Sequence, residues 1–456
     1  MGTAEGADLG DERKNESAAA RRRSPTSPMR PSTQNGTHEP VRTRRADHTR
    51  VRRRRPEPSP YSVRQHRPRF ELTLTDTTRA ALQSASDCAT SARVTTAPRA
   101  LPELDALRAV ALAAVVALHV SFGVLLAAPP GTVTATAVLA AHLLAGYGAP
   151  LFVALSMAGL ALGYERPPRA LADYGAFLAR RARRILPAYV FWTLVTMVRN
   201  EPAALLQPAV LGERLATGNA AYHLYFVPLI CMYYLAWPLL APLAAAAQRS
   251  PLAAAGIAGG GLAGSLVVWH AASLGNIAAG LATLPLFWLG FAAVGLASAP
   301  IVARRAAAPP WRPMAALTVV TAIVMIRHVR ELLGPAPADA HIAIAVTIFQ
   351  IPSLAYVLAA MAFATALVLR SRNGGAALAA FGRRAYGVYL VHVLIHEVVV
   401  RRIVGATTAA AAGSPTWAVA MIAEWAATLA LAFALVWSME RVPVLAPLAG
   451  VRPPSR

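Results

Sequence analysis

The stretch "LDALRAVALAAVVALHV" (104–120) is apolar along most of its length, yet it carries Asp105, Arg108 and His119. On an α-helix, which turns about 100° and rises about 1.5 Å per residue, Arg108 and His119 lie about 20° apart around the axis and roughly 16 Å apart along it. Asp105 lies within about 60° of Arg108 and about 40° of His119. The segment therefore predicts a membrane helix with one polar stripe. Ionisable groups are costly inside a bilayer, so the stripe indicates a function.

The composition is that of a membrane protein. The chain has 456 residues, of which 56% are hydrophobic and 14% charged, whereas a soluble domain has about 25% charged residues. Apolar segments of about 20 residues, each long enough to cross a bilayer, follow one another after Pro102. We predict an all-α polytopic membrane protein with about ten transmembrane helices. The predicted spans are 104–127, 133–163, 185–200, 222–246, 252–270, 276–299, 313–331, 341–369, 385–404 and 416–440.

The distribution of arginine predicts the orientation of these spans. If the N-terminus is cytoplasmic, the inner loops and the C-terminus carry 17 arginines and the outer loops with their flanks carry six. Cytoplasmic loops are enriched in Lys and Arg, so we expect both termini in the cytoplasm and a multi-pass protein of the inner (plasma) membrane. The membrane domain is predicted over 100–445, followed by a short cytoplasmic C-terminus at 446–456.

Residues 1–99 form a basic tail that contains 20 of the 44 Lys and Arg residues. Arg, Pro, Ser and Thr dominate it and no periodic apolar face is present, so we predict a disordered cytoplasmic tail. Two alternatives are an over-extended start of translation and a tail that binds anionic membrane lipid. No folded domain or aromatic interleaving accompanies the charge, so we predict no nucleic-acid partner.

Four arginines precede the third span in "FLARRARRILPAYVFW" (177–192). Arg181 and Arg184 lie one turn apart, as do Arg180 and Arg183, and guanidinium groups so placed suit phosphate groups. The alternative is that they only set topology and reach the interface on long side chains.

Two further segments carry polar side chains among apolar ones. In "RRAYGVYLVHVLIHEVVVRR" (383–402), Tyr389, His392 and His396 fall on one helix face. Because no cysteine and no third ligand accompany the two histidines, we predict no metal site. In "YHLYFVPLICMYYLAWP" (222–238), His223 is either a substrate contact or an anchor in an interfacial aromatic belt. The chain has no GxSxG, Walker or redox motif, so we predict no nucleotide hydrolysis.

These residues resemble membrane acyltransferase family 3, bacterial integral-membrane O-acyltransferases of sugars and natural products, over roughly 101–440. The pattern of an arginine, ten residues and a histidine is present as Arg108 and His119. "RRARRILP" is similar to the family's Arg-x-x-Arg motif, best placed at Arg181 and Arg184. "HLYFVPLI" resembles its His-Leu-Trp-Phe segment with Tyr225 in place of Trp. "AYGVYLVH" resembles its Ser-Tyr-x-x-Tyr-Leu-x-His segment with Ala385 in place of Ser.

The resemblance implies transfer of an acyl group, acetyl in the first instance, from cytosolic acyl-CoA to a hydroxyl group. His119 would be the general base, or less favourably an acyl-carrying nucleophile. Arg108 and Asp105 would be further catalytic residues that orient the polar stripe or hold the CoA. The four arginines of 180–184 would bind CoA. His223, Tyr225, Tyr389 and His392 would contact the acceptor, which is a polysaccharide or other carbohydrate of the bacterial cell surface or a secreted natural product. The sequence makes no prediction of oligomeric state.

Two rival functions use the same features differently. In a transporter or flippase for a glycan or lipid-linked substrate, the buried charges would line a proton or substrate pathway. In a non-catalytic partner subunit they would have no chemical task, but the intact Arg108 and His119 argue against that. Incorporation of a labelled acetyl group separates transferase from transporter.

The orientation gives the first test. A reporter fused after Arg456 is expected to give a cytoplasmic signal, because ten spans and the arginine bias both place that end inside. A periplasmic signal from a correctly inserted fusion would remove one span from the predicted ten.

Overall fold

The computed structural model describes residues 101–129, 131–163, 171–274, 283–303, 308–333, 350–371, 374–403 and 416–451. These residues form helices and turns, with no β-strand among them. The predicted tail (1–99) and residues 452–456 lie outside the described residues. The helices are α1 (Pro102–Ala127), α2 (Val133–Ala145), α3 (Gly148–Gly163), α4 (Leu171–Asn200), α5 (Pro208–Thr217), α6 (Phe226–Leu235), α7 (Trp237–Arg249), α8 (Pro251–Leu274), α9 (Leu289–Ala303), α10 (Trp311–Leu333), α11 (Ile351–Arg370), α12 (Gly374–Gly382), α13 (Ala385–Ile395) and α14 (Trp417–Arg441).

Each of the ten predicted spans contains a helix. Within the described residues, six segments are long and apolar enough to cross a membrane, and a seventh is added if α6 and α7 count as one span. α9 is apolar but shorter, and α4 is longer than the predicted span because it begins at Leu171 and includes the four arginines. The chain is therefore a multi-pass membrane protein, while the count of ten and the orientation stay predictions.

Two predicted spans are interrupted. The span 133–163 consists of α2 and α3, which are separated at Gly146 and Tyr147. The span 222–246 consists of α6 and α7, which meet at an angle of 78°. Pro238 lies in the first turn of α7, and its missing N–H together with its ring prevents the helical hydrogen bonds of α6 from continuing.

α1 is the central helix. Within the described chain it packs against α2, α3, α11, α12, α13 and α14, whereas α8 and α10 expose most of their apolar surface. Glycines allow the closest approaches. A Cβ on Gly148 would lie 2.8 Å from the Val115 nitrogen, and a Cβ on Gly382 would overlap the Asp105 carbonyl oxygen. Small residues at such crossings let helix backbones pack closely in membranes.

α14 is attached to α1 by a hydrogen bond near the middle of the first helix. The Trp425 Nε1 donates to the Ala113 carbonyl oxygen at 2.9 Å. Trp192 of α4 donates from its Nε1 to the carbonyl oxygen of Leu448, in the segment that follows α14, at 3.0 Å. These bonds fix α4 and α14 relative to the elements that carry the polar groups described below.

The close approach at Gly382 predicts a position-specific stability effect within α12. Gly382→Ala is expected to lower the thermal midpoint of the detergent-purified protein, since overpacking a tight contact costs about 1–3 kcal/mol. Gly375→Ala in the same helix is the matched control, because nothing lies within 4 Å of the added Cβ and alanine favours the helix by about 0.5–1 kcal/mol. Equal midpoints for the two variants would contradict the packing described here.

Candidate functional site

Three histidines from three separate segments meet inside the bundle. His119 of α1, His223 before α6 and His392 of α13 form what we call the histidine cluster. The ring centroids are 5.3 Å apart for His119 and His392, 5.1 Å for His223 and His392, and 6.5 Å for His119 and His223. His223 and His392 are buried, and His119 is half-buried. His223 therefore lies inside the protein and not in an interfacial belt.

Two tyrosines flank the histidine cluster. The Tyr389 ring lies 5.6 Å from His223 and 5.7 Å from His392, and its buried hydroxyl donates to the His223 carbonyl oxygen. The Tyr222 ring packs edge-on against His119 at 4.9 Å and is 55% exposed. Tyr222 also interacts electrostatically with Glu397 and Arg401. The cluster is thus closed on the side of Tyr389 and accessible on the side of His119 and Tyr222.

Backbone carbonyls fix the tautomers of the two buried histidines. His392 Nδ1 lies 2.6 Å from the Tyr389 carbonyl oxygen, and His223 Nε2 lies 3.4 Å from the Leu390 carbonyl oxygen. A carbonyl oxygen only accepts, so these nitrogens carry hydrogens, and in a neutral ring the other nitrogen is an acceptor. Those acceptors, His392 Nε2 and His223 Nδ1, are buried without a hydrogen-bond partner in the described part of the chain. The site therefore offers two acceptors that lack a donor.

These two unpartnered nitrogens are informative because buried polar atoms in proteins are nearly always hydrogen-bonded. A buried group left unpaired costs about 1–3 kcal/mol. A ligand with an O–H or N–H group would recover that cost. The histidine cluster is thus arranged to receive a hydrogen-bond donor, and His119 stands at its accessible edge.

The polar stripe of α1 continues towards its first turn as an ion pair. Arg108 Nη1 lies 2.5 Å from Asp105 Oδ1, with both side chains partly exposed. On α3, a Cβ at Gly159 would lie 3.3 Å from Arg108 Nη2, so the missing side chain leaves room for the guanidinium group. Asp105 therefore orients Arg108.

The arginines of α4 divide into two pairs. The Arg181 guanidinium carbon lies 5.5 Å from the Phe177 ring centroid and 5.2 Å from that of Tyr234. Arg108, Arg181 and Arg184 all interact electrostatically with Tyr234, and we call these three the arginine cluster. Arg180 and Arg183, the remaining pair, are exposed, as is Arg184, whereas Arg181 is half-buried.

Several residues near the site were not identified from the sequence. Tyr222 and Tyr234 were treated only as part of an aromatic belt. Glu424 was missed, although an acidic residue within the apolar segment 416–440 is itself a signal. Its carboxylate lies 2.8 Å from His396 Nε2. Tyr225, predicted as an acceptor contact, packs 6.3 Å from Trp288 and interacts electrostatically with Tyr389.

The described residues contain no group of three or more His, Cys, Asp or Glu side chains that is arranged to hold a metal ion. The histidine cluster and the arginine cluster offer imidazole and guanidinium groups. An imidazole can accept a proton from a bound hydroxyl, and guanidinium groups can bind phosphate.

Comparison with known proteins agrees with the resemblance noted in the sequence. The model of an acyltransferase domain, that of membrane acyltransferase family 3, matches residues 101–441. The match spans both the histidine cluster and the arginine cluster. No curated protein and no solved structure matches the chain.

Proposed function

Because the chain belongs to membrane acyltransferase family 3, we propose that it is an O-acyltransferase that uses cytosolic acyl-CoA, acetyl-CoA in the first instance. The acceptor is a hydroxyl group of a carbohydrate or secreted natural product, modified at the bacterial plasma membrane. The observation that carries this proposal is the pair of unpartnered acceptor nitrogens beside His119. A hydroxyl group is the hydrogen-bond donor that they lack.

His119 is the general base in this proposal. As the acceptor oxygen forms its bond to the acyl carbon, His119 takes the hydroxyl proton. The bond between that carbon and the CoA sulfur breaks, and the thiolate receives the proton and leaves as the thiol. His223 and His392 hold further hydroxyl groups of the acceptor through their free nitrogens, while Tyr389 keeps the His223 backbone in place.

The arginine cluster is the proposed site for the CoA phosphates. On α1, Arg108 and His119 are separated by about 16 Å along the axis. A long, narrow donor with phosphates at one end and a thioester at the other fits that separation. Asp105, paired with Arg108, sets the direction of the guanidinium group.

One observation favours the transporter alternative, namely the bend of 78° between α6 and α7. Discontinuous helices line substrate sites in transporters. Membranes containing the protein and its native acceptor, supplied with radiolabelled acetyl-CoA, separate the two functions. A transferase leaves a covalent label on an acceptor other than CoA, and a transporter leaves none.

Substitution of the base gives a direct test. His119→Gln keeps a polar side chain of similar size but cannot take up a proton, so we expect transfer to fall by about 10²–10⁴-fold in membranes matched for protein amount. His270→Gln on α8 is the control, because His270 is exposed and bonds only to the Leu266 carbonyl oxygen of its own helix. A His119→Gln variant with most of the wild-type rate would move the base to His392.

A second test concerns the binding of the acyl donor, acetyl-CoA. The double variant Arg181→Ala with Arg184→Ala is expected to raise the KM for acetyl-CoA far more than the KM for the acceptor, since a phosphate contact made throughout the reaction affects binding first. Arg180→Ala with Arg183→Ala removes the same charge from the two arginines outside the arginine cluster and is expected to have the smaller effect. If both double variants leave the acetyl-CoA KM unchanged, the arginines only set topology.

A further inference from the structure

A buried pair of a carboxylate and an imidazole lies next to the histidine cluster and has no task in the mechanism above. Glu424 Oε1 of α14 lies 2.8 Å from His396 Nε2, and each side chain is 4% exposed. Among the described residues, the buried acidic side chains are Glu103, in the first turn of α1, and Glu424. An ionisable pair kept inside a membrane protein is expensive and indicates a function.

The pair is placed close to the proposed base. His396 follows His392 by four residues, which puts the two Cβ atoms on one helix face at about 5–6 Å. His396 interacts electrostatically with both His119 and His392. It also begins a π-helical turn, His396–Val400, and such turns occur frequently at functional sites.

Glu424 is held where it is by its neighbours. The adjacent Trp425 donates to the Ala113 carbonyl oxygen of α1, and the Thr428 hydroxyl donates to the Glu424 carbonyl oxygen at 2.8 Å. The carboxylate accepts from His396 Nε2, so that nitrogen carries a hydrogen. The carboxylate is thus fixed at His396, one helical turn beyond His392 of the histidine cluster.

We propose that Glu424, held in place by His396, is the positioning carboxylate of the histidine cluster and that its negative charge stabilises the imidazolium formed on His119 during acyl transfer. This inference rests on the proposed function. A positive charge created in a buried site is costly unless an opposite charge is already fixed nearby. The proton passes from the acceptor hydroxyl to His119 and on to the CoA thiolate, so Glu424 neither gains nor loses one.

The other carboxylates close to these elements are already paired with arginines. On the turn after α13, Glu397 forms an ion pair with Arg199 of α4 and is partly exposed. On α1, Asp105 is paired with Arg108, more than three turns from His119. The rings packed against His119 in the described chain belong to Tyr222, His223 and His392, none of which carries a negative charge. Within the described residues, Glu424 is therefore the buried carboxylate available to the cluster.

The charge of Glu424 can be removed while its hydrogen bond is kept. In Glu424→Gln, the amide oxygen still accepts from His396 Nε2 at nearly the same volume. We expect the maximal rate of label transfer from radiolabelled acetyl-CoA to fall about tenfold or more, as for a carboxylate that supports a base imidazole. The KM for acetyl-CoA is expected to stay unchanged, because the phosphates lie at the arginine cluster.

Two variants separate charge from structure. Glu424→Asp keeps the carboxylate charge, and His396→Gln keeps that charge together with an N–H donor for the carboxylate, so each is expected to retain most of the maximal rate. Glu397→Gln is the matched control for loss of a neighbouring carboxylate and is expected to behave as wild type. The thermal midpoint of each purified variant reports whether the protein is folded.

The outcomes are distinct. A folded Glu424→Gln variant with the wild-type maximal rate overturns the inference and leaves the pair a structural contact. If Glu424→Gln is not recovered folded, a large loss of rate in folded Glu424→Asp or folded His396→Gln overturns it instead. Wild-type protein that transfers no label contradicts the proposed function itself, whereas an active wild type with an equally active Glu424→Gln contradicts this inference alone.

Discussion

In a hydrocarbon environment, polar side chains are stable only where other protein groups surround them, and this constraint organises the molecule. α1 carries a stripe of ionisable residues, so it must lie at the centre. It does, with six helices packed around it in the described chain. Gly148 and Gly382 allow two of these neighbours to approach the α1 backbone closely. The positions of α2, α3, α11, α12, α13 and α14 all follow from the need to cover this one helix.

The same constraint explains why two polar clusters exist and why they differ. At the first turns of α1, Arg108 is partly exposed and is paired with Asp105. Deeper along the helix, His119 meets imidazole rings whose donors are already committed to backbone carbonyls. One end suits a charged, hydrated group and the other suits a neutral hydrogen-bond donor. A reaction between a phosphorylated donor and an alcohol needs that difference between the two ends.

Much of this arrangement could be predicted from the sequence. The helical spacing of Asp105, Arg108 and His119 identified one stripe, and the family resemblance added Arg181, Arg184, His223 and His392. Local spacing cannot reveal which residues of distant segments meet, so the contact of Tyr222 with His119 was not foreseen. The bend between α6 and α7 was missed because Pro238 lies inside a continuous apolar run. Glu424 was missed because a lone acidic residue has no partner until the helices are packed together.

Each cluster has one member on α1, so this helix sets the distance between them. A straight α-helix is stiff, so eleven residues fix a rise of about 16 Å along the axis between the Cα atoms of Arg108 and His119. The helix thus sets how far a charged group lies from an imidazole. A small activated acyl compound bound at Arg108 would not reach His119, however reactive it is. Selection of the donor would then depend on its reach as much as on its chemical groups.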